Sequence, residues 1–227
     1  MYLAVTATPM EMRALERVLD PAVHCQRLVT GIGPMETAHV LTSYLCRAGT
    51  LPDGVLVFGI AGAYCLADGS GAAMLDICLA EEEVLADFGI CLAGAIEHFK
   101  APELRARNRF ELDAGLIDRA ETALRHQGIT CCRGRFLTVQ CTSGTRERGA
   151  LLATTFGGLC ENMEGAAVAR VCTAFSLPCL EVRCVSNLVE DRDHGQWRLK
   201  EACAKAGAAA AHVLASLARQ MPKDRTP

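Results

Sequence analysis

Short apolar runs alternate with stretches of helical periodicity along most of the chain. Tyr2 to Ala7 is apolar and stops at Thr8-Pro9; Met10 to Leu19 then places its apolar residues at helical spacing, which predicts strand, tight turn, helix. The same unit returns. Arg27 to Thr30 runs into Gly31-Ile32-Gly33-Pro34 and a helix from Met35 to Ala48, and Gly54 to Phe58 runs into Gly59-Ile60-Ala61-Gly62. Farther on, Arg135 to Cys141 ends at Thr142-Ser143-Gly144-Thr145, and Leu180 to Val185 ends at Ser186-Asn187. This alternation predicts an α/β domain with a largely parallel sheet covered by helices. Ligands of such sheets bind beyond the carboxyl ends of the strands. The turns just named therefore form one rim where chemistry is expected.

Between Ala80 and Asp113 the pattern fails. Glu81-Glu82-Glu83 is followed by Phe99-Lys100-Ala101-Pro102 and by Arg105, Arg107 and Arg109, which reads as a long irregular insert of the kind that often serves function. Asp113 to Gln127 is an amphipathic helix, and the Ala-rich stretch Ala202 to Gln220 closes the chain. Residues 222–227 are expected to fray. No repeat or Gly/Ser linker divides the sequence, so residues 1–221 are read as a single domain.

Composition narrows the function. Of the 227 residues 51% are hydrophobic and 22% charged, which suits a large core. Lys and Arg number 23 against 26 Asp and Glu, without the basic excess that a nucleic-acid binder needs, so the expected partner is a small molecule. No apolar run reaches the ~20 residues of a membrane helix, and the first residues lack a signal pattern. The 13 cysteines have no CxxC spacing and are expected to be reduced, mostly buried small hydrophobes of a cytoplasmic protein.

Several residues carry candidate chemistry beside a plainer role. Gly31-Ile32-Gly33 lacks the third glycine of a dinucleotide loop and is followed by Glu36, which would repel a pyrophosphate; a tight turn explains it as well. Glu11, three residues after Thr8, completes a capping box, and on this rim it is also placed to deprotonate a water. Asn162-Met163-Glu164-Gly165-Ala166-Ala167 opens a helix, with Asn162 as its cap and Glu164 complementing the helix dipole. Arg183 lies inside an apolar strand, where a guanidinium needs carboxylates or a ligand, and Glu181 shares its side of the strand by alternation. Trp197, the single tryptophan, is an anchor of core or interface. Glu190, Asp191, Asp193 and His194 have metal-binding chemistry but also the make-up of an ordinary surface loop.

Together, Thr8-Pro9-Met10-Glu11, the two glycine turns, Asn162-Met163-Glu164-Gly165-Ala166-Ala167 and Arg183-Cys184-Val185-Ser186-Asn187 resemble the purine nucleoside phosphorylase and nucleosidase superfamily over nearly the whole chain. The resemblance implies a three-layer α/β/α domain with a mixed central sheet, cleavage of an N-glycosidic bond, no metal or organic cofactor, and a homo-oligomer. It assigns Glu164 to the ribose hydroxyls, and Glu11 with Arg183 to the attacking water. A carboxylate beneath the ribose stabilises the positive charge of the transition state. Adenosine-type relatives carry an acid where this chain has Asn187, whose amide suits the O6 acceptor of a 6-oxopurine. With Trp197, these motifs look most like the branch that releases hypoxanthine from a nucleoside bearing a carboxylated aromatic tail. Lys100, Arg105, Arg107 or Arg109 are candidates to meet that tail.

Hexameric phosphorylases carry an arginine just before the Gly-x-x-Gly turn; Val57 and Phe58 stand here, so water is the expected nucleophile. Further substrate contacts are expected from Gly33, Ile60, Gly62, Gln140, Thr142, Asn162 and Met163. A methylthioadenosine-type nucleosidase, a 6-oxopurine phosphorylase and a non-catalytic nucleoside-binding module remain as alternatives.

Overall fold

The computed structural model describes residues 1–65, 71–92, 94–191 and 193–219, without the side chain of His194. The expected frayed tail, 222–227, lies outside the described residues. Leu3–Thr6 forms β1, and Thr8 caps α1 (Pro9–Glu16) as the motif predicts, its hydroxyl accepting from the Glu11 amide while the Glu11 carboxylate accepts from the Thr8 amide. After β2 (Gln26–Val29), Gly33 at φ 96° leads into α2 (Pro34–Arg47). A left-handed φ of this kind favours glycine. Two long strands follow, β3 (Val55–Tyr64) and β4 (Ile77–Leu85). The hairpin β5 (Ile90–Leu92) and β6 (Ala95–Glu97) precedes β7 (Arg109–Glu111). The chain finishes as α3 (Ala114–Arg125), β8 (Cys131–Thr138), α4 (Arg146–Phe156), β9 (Gly158–Asn162), α5 (Gly165–Phe175), β10 (Cys179–Val189) and α6 (Leu199–Arg219).

The stretch expected to be irregular contains β4, a strand at the centre of the fold. Its three consecutive glutamates hid it, because each finds a different partner. Glu81 pairs with Arg133 and Glu82 with Arg109 and Arg135, while Glu83 is fully buried. Arg109, a candidate for a substrate tail, is thus committed to Glu82.

Pairing is parallel between β1 and both β2 and β3, between β3 and β10, and along β4, β8 and β9. It is antiparallel where β10 meets β4, where β3 meets β9 and where β7 meets β4. The sheet is therefore mixed, and strands β3, β10, β4, β8 and β9 close into a ring. On one side α1 and α3 pack on α6, and on the other α2 packs on α5, giving three layers. β1 and nearly all of β3 are buried, as expected of strands covered on both faces. All the cysteines are free; six are buried, and Cys46, Cys91 and Cys141 are exposed. No helix of the described residues is long and apolar enough to cross a membrane.

Candidate active site

The carboxyl ends of β3, β9 and β10 and the first turns of α1 and α5 enclose a cavity of about 370 Å³. Glu11, Glu164, Arg183 and Asn187 all line it. Each is held by its own element for a legible reason.

Glu11 divides its two oxygens. Oε2 accepts from the Thr6 hydroxyl at 3.0 Å, the Thr8 amide at 3.0 Å and the Thr8 hydroxyl at 2.7 Å, which anchors the start of α1. Oε1 accepts from the Ile60 amide at 3.1 Å. Capping thus occupies only one of the two oxygens. Gly59 makes the approach possible, because a Cβ there would run into Oε1 and sit 2.9 Å from Nη1 of Arg183.

Glu164 stands at the head of α5 without capping it. That task falls to Asn162, whose Oδ1 accepts from the amides of Glu164 and Gly165 at 2.9 and 2.7 Å. The Glu164 carboxylate is left for the cavity, held by the Gly33 amide at 3.1 Å and by Nη1 of Arg183 at 3.3 Å. Burial pushes its pKa up; Arg183 and the Gly33 amide oppose that shift.

Arg183 is 2% exposed and all its nitrogens are engaged: Nε with Glu181 at 2.8 Å, Nη1 with Glu164 and the Ile60 carbonyl, and Nη2 with Asn162 at 3.4 Å. Burial alone would lower its pKa, but Glu181, Glu164 and Glu11 outweigh burial and keep the guanidinium charged.

Asn187 owes its position to a bulge. Val185 is in register with Ala61 and Asn187 with Gly62, so Ser186 is an extra residue that re-aims the end of the strand. The Oδ1 of Asn187 is 2.9 Å from the Ser186 hydroxyl, and its Nδ2 lies 3.0 Å from where a Gly62 Cβ would be.

Other expected contacts divide. Ile60, Gly62, Thr142, Asn162 and Met163 line the cavity. Gly33 contributes through its bond to Glu164. Gln140 is exposed and absent from the lining, its amide donating to Asp87. Lys100, Arg105, Arg107 and Arg109 are also absent from the lining. Trp197, read as an anchor, lines the cavity beside Asn187. In the acidic loop, Glu190 pairs with Arg146, Asp191 accepts from the Arg146 amide, and Asp193 accepts from the Gly195 amide. The described residues hold no metal-binding cluster.

The sequence pattern did not single out one lining residue, Glu161. It is buried against the far side of Gly62 from Asn187, accepting from the Ser143 amide at 2.8 Å, the Ser143 hydroxyl at 2.7 Å and the Tyr64 hydroxyl at 3.2 Å. Burial raises its pKa and these donors lower it. Its signal in the sequence is an acid placed directly after the apolar pair Leu159-Cys160 and before Asn162-Met163-Glu164.

Residues 25–219 match the family described as the phosphorylase superfamily. The chain belongs to this superfamily. It is 38% identical over 191 residues to the futalosine hydrolase of Thermus thermophilus, a match covering 83% of this chain and 80% of that one, which places it within the futalosine hydrolases of the superfamily. A 72-residue stretch, 31% of either chain, is 46% identical to the futalosine hydrolase of Streptomyces coelicolor. The superfamily fold is shared with a futalosine hydrolase mutant of Helicobacter pylori at a TM-score of 0.81 and 19% identity, covering 94% of this chain and 98% of that one. A 5'-methylthioadenosine/S-adenosylhomocysteine nucleosidase of Neisseria meningitidis in complex with methylthio-immucillin-A gives 0.79 at 20% identity, covering 94% and 97%.

Proposed function

We propose that this protein hydrolyses the N-glycosidic bond of futalosine, releasing hypoxanthine and dehypoxanthinyl futalosine on the route to menaquinone. The observation that carries this reading is that Glu164 and Asn187 line one cavity together with Glu11 and Arg183. Kinship with the Thermus enzyme supports the choice of substrate.

In this reading the ribose hydroxyls donate to Glu164, which Arg183 and the Gly33 amide hold in place. As the bond between C1′ and the base nitrogen lengthens, positive charge grows on the sugar, and the fixed carboxylate binds that state better than the ground state. A water beside Oε1 of Glu11 gives its oxygen to C1′ and a proton to the carboxylate. The bonding electrons leave with the purine, which takes up a proton at nitrogen from solvent, while Glu11 returns its proton to solvent, so that one water is consumed. Asn187 donates to O6 through its amide nitrogen, a contact that a 6-amino purine would meet with a second donor. Val57 and Phe58, both buried and apolar before the glycine turn, offer phosphate no cation there and support water as nucleophile.

Neither metal nor organic cofactor takes part in this scheme. The free cysteines support a reducing cytoplasm. Ile32 and Met35, both well exposed, leave apolar surface that supports a homo-oligomer.

The test is incubation of the purified protein with futalosine, with and without phosphate, and chromatography of the products. Free hypoxanthine in phosphate-free buffer is expected. Its absence, or a strict need for phosphate, would overturn the proposal, and methylthioadenosine and inosine in the same panel separate the neighbouring activities.

A further inference from the structure

Behind Arg183, away from the cavity lining, two more carboxylates are fully buried: Glu181 on β10 and Glu83 on β4. Their meeting point is unusual. A Cβ on Gly165 would run into Oε1 of Glu83 and Oε2 of Glu181 together, so these two oxygens converge on one spot above the first residue of α5. Three of the pair's four oxygens have a donor. Glu181 Oε1 accepts from Nε of Arg183 at 2.8 Å, Glu83 Oε1 from Nδ2 of Asn162 at 2.6 Å, and Glu83 Oε2 from the Thr138 hydroxyl at 2.7 Å. Glu181 Oε2 alone is buried without a hydrogen-bond partner among the heavy atoms.

Two ionised carboxylates cannot share so small a dry space, and a buried acceptor left unsatisfied is costly. One proton solves both problems. We infer that Glu83 is a neutral carboxylic acid whose Oε1 hydroxyl donates to Oε2 of Glu181, and that this singly charged pair is a positioning device for the catalytic carboxylate. The hydrogen-bond count then closes at every atom named. The pair holds Glu164 by two routes. Glu181 fixes the guanidinium that reaches Glu164, and Glu83 fixes the Asn162 amide whose oxygen holds the Glu164 backbone. It also sets the charge of the site. With Glu83 neutral, the charged neighbours of Arg183 are Glu11, Glu164 and Glu181, a net anionic cluster suited to a sugar that turns cationic. Burial and the adjacent Glu181 both push the Glu83 pKa well up. Cys179 on β10 also stands near the pair, beside Cys172 of α5, and its thiol is pushed up as well.

Infrared spectroscopy of the substrate-free protein at about pH 8, above the ordinary carboxylate range, reads the proton directly. A carboxylic-acid carbonyl band that shifts in D2O is expected in the wild type and is expected to vanish in Glu83→Gln. Absence of the band, or its survival in that variant, overturns the inference. Should Glu83→Gln fail to fold, Glu181→Gln serves: its amide donates to Glu83, which can then ionise, so the band is again lost, and its retention counts against the pair. The positioning role rests on the proposed activity. With futalosine, Glu181→Ala is expected to lower kcat by roughly 10²-fold with little change in KM, and Glu181→Gln to recover most of it. Wild-type kcat in Glu181→Ala would overturn that role. If the wild type does not hydrolyse futalosine at all, the infrared result still decides the shared proton.

Discussion

Arg183 donates through Nη1 to Oε2 of Glu164 at 3.3 Å, and in the same plane its Nε binds Glu181 at 2.8 Å. The longer bond faces the cavity and the shorter one faces the core. The guanidinium therefore serves as a fixed spacer: one end is locked by buried charge, and the other leaves Glu164 a loosely held oxygen with capacity for sugar hydroxyls.

Replacing that carboxylate by its neutral isostere tests the charge while keeping the shape. Glu164→Gln is expected to reduce kcat by roughly 10²- to 10³-fold, the usual size of one lost electrostatic contact to the transition state. Hypoxanthine release under saturating futalosine measures it, and a wild-type rate would remove Glu164 from the reaction.

The acid side of the pH profile is set by burial. In the proposed reaction Glu164 acts as the carboxylate, and burial raises its pKa despite Arg183. Activity is therefore expected to fall as pH drops through that raised value, which lies above the ordinary glutamate value. Stability carries the opposite sign. A carboxyl raised in the folded state contributes stability that is complete below its unfolded pKa and is lost as pH rises through its folded one. Profiles of kcat/KM against pH should show the limb, and denaturation midpoints of Glu164→Gln should lack that part of the pH dependence.

Base preference should turn on one atom. In Asn187→Asp the donor proposed to face O6 becomes a carboxylate, which repels O6 and accepts from a 6-amino group. The ratio of kcat/KM for futalosine to that for its 6-amino analogue is expected to fall by about 10²-fold or more. An unchanged ratio would mean that Asn187 does not touch the base.

Gly59→Ala is expected to damage function more than fold. The added methyl enters between Glu11 and Arg183, displacing the Oε1 that accepts from Ile60. Overpacking of this kind costs about 1–3 kcal/mol, which urea denaturation would register, while hydrolysis should fall out of proportion to the folded fraction. Full activity in the folded variant would show that Oε1 tolerates displacement.

Much of this site was legible in the sequence because its residues sit where local rules place them. Thr8 and Glu11 form a capping box that is visible at a spacing of three, and Glu181 and Arg183 share a strand face by simple alternation. The features that escaped were set by tertiary pairing. Glu83 falls in the stretch expected to be an irregular insert because its partners, Thr138 and Asn162, come from distant strands. Glu161 lies one residue before the motif, yet its place beside Gly62 is fixed by the register of β9 on β3, which no local pattern encodes. The bulge at Ser186 is likewise a property of two strands together.

The closed circuit of β3, β10, β4, β8 and β9 bears on how the protein comes apart. A ring has no terminal strand to peel away, and β3, β9 and β10, neighbours within it, all contribute residues to the cavity. Opening either seam of β3, with β9 or with β10, separates those residues at the same time as it exposes the interior. Loss of turnover and loss of amide protection in these strands should therefore coincide on denaturation, leaving no folded-but-inactive species between them.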